Sequence, residues 1–60
     1  MDTHMATARA WAAEVFPPHL GVRVTFIDHV DHVVVVSEDA DGFTFATRID
    51  SDGIHDLGER

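Results

Sequence analysis

Four consecutive valines, Val33-Val34-Val35-Val36, constrain this chain more than any other stretch. Four β-branched residues in a row favour an extended strand. Successive side chains of a strand point to opposite faces, so both faces here are apolar. Such a strand needs cover on both sides. The segment before the valines supplies one cover, a single short helix. Nothing else in the 60 residues supplies a second. The imbalance points to self-association, with a second copy covering the other face. Size argues the same way. A domain this small buries only about 60% of its unfolded surface and commonly needs a staple. Cysteine is absent, which excludes disulfides and thiolate zinc sites. A partner chain, a His/carboxylate metal site or a favourable solvent remain.

The helix is expected over Met5–Phe16. Met5, Ala8, Trp11, Ala12 and Val15 recur at helical spacing, while Arg9, Ala10, Ala13 and Glu14 fall away from that stripe. Alanine gives strong helix propensity, and Asp2 or Thr3 offers a cap. Pro17-Pro18 stops the helix, because Pro17 pushes Phe16 out of the α region. Trp11 reads as the largest plug between helix and sheet rather than as a stacking platform for a ligand. After the connector His19-Leu20-Gly21, Val22, Val24 and Phe26 alternate with Arg23, Thr25 and Ile27, a half-buried strand. Asp28-His29-Val30-Asp31-His32 is the loop before the valines.

Ser37-Glu38-Asp39-Ala40-Asp41-Gly42 carries hairpin chemistry: a type I turn with Gly42 left-handed as a bulge. That register sets Asp39 against Phe43, Val35 against Thr47 and Val33 against Ile49. Val33, Val35, Phe43 and Phe45 then lie under the helix, and Val34, Val36, Thr44, Ala46 and Arg48 on the other face. A loop one residue longer would exchange the two valine pairs. A second turn at Asp50-Ser51-Asp52-Gly53 leads into a short strand, Ile54–Leu57. The reading is an α+β fold: one N-terminal helix packed on a three- to four-stranded antiparallel meander sheet. It is one small domain over residues 1–60, with 1–4 frayed and 58–60 a tail.

The charge balance narrows the partners. Eleven acids face four arginines, Arg9, Arg23, Arg48 and Arg60, and the net charge is −7. Such a surface repels phosphate backbones and anionic membranes, so neither nucleic acid nor membrane is an expected partner. A lysine-free, aspartate-rich composition resembles that of proteins from salt-loving organisms, whose cytoplasm screens self-repulsion. GC-rich coding is the competing explanation, although it should also enrich arginine. No apolar run reaches the length of a signal or a membrane span, which favours the cytoplasm.

Three constellations bear on chemistry. The two Asp-x-Asp-Gly turns invite a calcium reading, but in either alignment to a calcium-binding loop Arg48 falls on a required ligand position. His29 and His32, with Asp28 and Asp31, form the candidate metal group, imidazole and carboxylate being good zinc, copper or nickel ligands. The competing reading is a polar loop whose carboxylates pair with its imidazoles. No catalytic set emerges: Ser37 and Ser51 sit at turns, and no glycine-rich phosphate loop is present. The expected function is that of a small acidic non-enzymatic homo-oligomer, a dimer, in protein–protein interaction, with no cofactor. Ile27, Val34, Val36 and Ala46 are its expected interface. The alternatives are a metal- or small-ligand-binding protein using the His29/His32 loop, and a dimeric enzyme with an interfacial pocket.

Overall fold

A computed structural model describes residues 3–59. Helix α1 (Thr3–Val15) precedes a short 3-10 turn (Pro18–Leu20). Strands β1 (Arg23–Asp28), β2 (Val33–Glu38), β3 (Thr44–Asp50) and β4 (Gly53–Glu59) follow. All strand pairs are antiparallel and the order is β1-β2-β3-β4, so the chain is the expected α+β meander with four strands. Four residues expected in the frayed start and the tail lie inside elements. Thr3 and His4 are helical, and Gly58 and Glu59 belong to β4. β4 stays in register past its expected end because a bulge opposite Ala46 and Thr47 absorbs one residue. Thr3, a candidate cap, is itself the first helical residue. Asp2, the other, lies outside the described residues, as do Met1 and Arg60.

The helix stops where the prolines dictate. Phe16 N–H still donates to the Ala12 carbonyl at 2.8 Å, and Pro17 is extended. The 3-10 turn then reverses the chain, ending at Gly21 in the left-handed region (φ 68°). Among the described residues no helix is long and apolar enough to cross a membrane.

The β2–β3 hairpin has the expected three-residue form. Gly42 is left-handed (φ 88°) and its N–H donates to the Asp39 carbonyl, while Asp39 N–H donates to the Phe43 carbonyl at 3.0 Å. Asp39 Oδ1 accepts from the amides of Asp41 (2.9 Å) and Phe43 (3.0 Å), tying the turn together. Val33 therefore faces Ile49 and Val35 faces Thr47. Val33, Val35, Ile49 and Ala8 are buried together, with Met5, Trp11, Val24 and Phe26 packed around them. Ala8 and Ala12 of α1 are buried, and their small side chains let the helix approach the sheet closely. Arg9 lies over the Phe26 ring, 5.1 Å from its centre, and closes the β1 side.

Two expectations about the covered face need correction. Ser37 is buried within β2, because the alternation that buries Val33 and Val35 continues through it; it is not a turn residue. Phe43 and Phe45 were expected beneath the helix, yet they are 54% and 44% exposed. The main packing of α1 is on the Val33-Val35-Ile49 part of β1, β2 and β3, and the helix ends before it reaches the phenylalanines.

Candidate functional site

The side of the sheet away from α1 carries two central cross-strand rows. One runs Thr25, Val36, Ala46, Gly58; the other runs Ile27, Val34, Arg48, His55. Three of the four expected interface residues offer surface there. Ile27 is 43% exposed, and Val34 and Val36 are half-buried. Ala46 does not: it is buried in place between Val36 and Gly58, its methyl shaded by its neighbours. It forms floor rather than contact surface.

At the β3–β4 end of this face lies a polar network that sequence reasoning missed. Asp50 Oδ2 accepts from Arg48 Nε (2.9 Å) and Oδ1 accepts from Asp52 N–H (2.8 Å) and His55 Nε2 (3.1 Å). Arg48 and His55 are direct cross-strand partners, and Asp50 is two residues along from Arg48, so all three share one face. Partial burial works to raise the Asp50 carboxyl. The bonds from Asp52, His55 and Arg48 outweigh it and hold the group at about 2. The aspartate-rich turn was legible in the sequence, but a cross-strand contact depends on register.

The candidate metal group closes the β1–β2 hairpin. His29 N–H donates to the His32 carbonyl at 2.9 Å, leaving Val30 and Asp31 at the tip. The two imidazoles stack, with centres 4.4 Å apart and planes 14° apart. His32 Nδ1 donates to Asp31 Oδ1 at 2.6 Å, and this bond holds the Asp31 carboxyl below its usual value. Ring nitrogens direct their lone pairs in the ring plane. Near-parallel planes this far apart do not converge on one ion about 2 Å from each nitrogen. Among the described residues no three histidine or acidic side chains gather as a ligand set, so Asp28, His29, Asp31 and His32 are not assembled as a coordination shell.

A third feature, also missed, lies on the helix side. Val15, Phe16, Leu20, Val22, Phe43 and Phe45 line an open groove of about 240 Å³. Ser37 and Asp39 supply its polar wall. The Trp11 ring meets Phe16 edge-on at 5.7 Å, linking the groove to the core. Its sequence signal was the run of apolar residues around the two prolines, facing Phe43 and Phe45 beyond the hairpin. No protein-family model, curated protein or solved structure matches the chain.

Proposed function

We propose that this chain is a non-enzymatic interaction protein that pairs with a second copy of itself through the sheet face opposite α1. The observation that carries this reading is the valine strand. Val33 and Val35 are fully covered by the chain's own helix, whereas among the described residues no layer lies above Val34, Val36 and the neighbouring Ile27. Two such faces brought together make a sandwich with sheets about 10 Å apart and a helix on each outer side. Arg48, Asp50 and His55 then form a polar border beside the apolar centre, an arrangement typical of interfaces.

The area is modest. Four strands about 4.8 Å apart and about 20 Å long present on the order of 400 Å² of plan area per copy, about half the roughly 800 Å² per partner of a standard-size interface. Each copy also carries −7, so repulsion opposes pairing at low salt. The association is therefore concentration-dependent and strengthened by salt. Sedimentation velocity over a range of protein and salt concentrations tests it. The native chain should pass from monomer to dimer. The variant Ile27→Thr/Val34→Thr keeps β-branched shape and should stay monomeric and folded. A native chain that remains monomeric at the highest concentrations overturns the reading.

A further inference from the structure

We propose that the helix-side groove receives apolar side chains carried by a basic segment of a partner protein. The inference is independent of self-association, since the groove lies across the sheet from Ile27, Val34 and Val36.

Size comes first. At about 240 Å³ the groove is below the roughly 300–1,000 Å³ of small-molecule sites, and suits one or two large side chains from a peptide. Its lining fits that use, with Phe43 and Phe45 on one wall and Val15 and Leu20 on the other, all more than two-fifths exposed. An amphipathic segment laying its apolar anchors into such a groove is a common recognition mode.

Charge selects the flanking residues. Asp39 lines the groove, and its carboxylate spends Oδ1 on the turn amides, which leaves its negative charge at the lip. The C-terminal end of α1 opens here through Val15 and Phe16. That end carries partial negative charge, and its last turn holds no basic residue. The described arginines are all engaged elsewhere: Arg9 over Phe26, Arg23 near Glu38 on the opposite face, and Arg48 on Asp50. His19 on the 3-10 turn is exposed and does not line the groove. An apolar slot with an anionic lip, on a chain of net charge −7, selects a cationic apolar partner. A second copy matches this lip poorly, because its described arginines are engaged away from the groove.

The test uses a short synthetic peptide with Leu and Phe at helical spacing and Arg between them. A control peptide carries Glu in place of Arg. Trp11, the single tryptophan, reports through Phe16 by fluorescence, and amide shifts map the contact. The Arg peptide should shift the amides of Val15, Leu20, Val22, Phe43 and Phe45, and the Glu peptide should not. Asp39→Asn retains a side-chain oxygen for the turn amides but removes the charge, and should weaken binding roughly three- to fivefold. Phe43→Ser removes one of the two phenylalanines of that wall at an exposed position and should weaken it roughly tenfold or more. Four results would overturn the proposal. The Arg peptide fails to bind the native chain, or both peptides bind equally. The shifts fall on Ile27, Val34 and Val36 instead. Or the groove amides move with protein concentration alone, which would mean a second copy fills the groove.

Discussion

Val34 and Val35 are adjacent, chemically identical and on opposite faces, so truncating each in turn reads the two faces separately. Val35 is 1% exposed and packs in the core. Val35→Ala deletes two buried carbons, about 1.6 kcal/mol at about 0.8 kcal/mol each, and a cavity term raises the loss to about 2–3 kcal/mol. A domain of this size has roughly 3–9 kcal/mol in total, so the melting temperature should fall by about 10 °C or more. Val34 is half-buried in the single chain. There Val34→Ala removes partly solvated carbons and costs about 0.5–1 kcal/mol. In a dimer closed through the open face, Val34 is buried from both sides and its cost approaches that of Val35. The comparison is therefore run at low and high protein concentration, following Trp11 fluorescence through urea unfolding. Self-association requires the Val34 penalty to grow with concentration while the Val35 penalty changes little. A Val34 penalty that stays small and constant refutes the interface. A Val35 penalty below about 0.5 kcal/mol would refute the assignment of the covered face.

Three further outcomes are expected. Asp50 is lowered to about 2 from 3.8, so its contribution is complete above about 3.8 and is lost as pH falls through about 2. Asp31 is lowered too, with the same sign. Melts at graded pH should show stability falling across that acid range, and Asp50→Asn should flatten the fall; an unchanged acid limb in that variant would remove Asp50 from the account. Raising salt from low to molar levels should raise the melting temperature, because it screens repulsion within a chain of charge −7, and a flat or falling response would argue against adaptation to salt. Zinc should leave the melting temperature unchanged, since the stacked His29 and His32 rings do not converge; a rise that His29→Ala abolishes would show that the rings part to bind metal.

The parts of the fold legible in the sequence are those set by local chemistry. The helical stripe through Ala8 and Ala12, the proline stop and the Asp39–Gly42 turn each depend on neighbouring residues, and the turn fixed the parity of the valines. The site was less legible, because its features depend on what lies across the sheet. The His29–His32 stack follows from a hairpin tip of only two residues, where a longer loop was expected. The Asp50 network needs the β3–β4 pairing that sets Arg48 beside His55. Ala46 alternates onto the open face as expected, but no pattern of apolar and polar residues tells how far neighbours shade a methyl group.

The exposure of Phe43 and Phe45 has a geometric cause that also accounts for the groove. A helix with its side chains is about 10–12 Å across, whereas four strands at about 4.8 Å spacing exceed that width. α1 is placed over β1, β2 and β3, where Ala8 and Ala12 allow close approach, and Ile54 on β4 stays 49% exposed. Length limits the cover as well. Thirteen helical residues span about 20 Å, and Pro17-Pro18 allows no further turn. The helix thus ends beside β2 and β3 without covering Phe43 and Phe45, and the 3-10 turn carries Leu20 and Val22 to the far wall instead of filling the space. The same two prolines that end the core-forming helix leave a bounded apolar groove next to Asp39. Binding there and pairing through the open face use opposite sides of the sheet, so one chain has room for both.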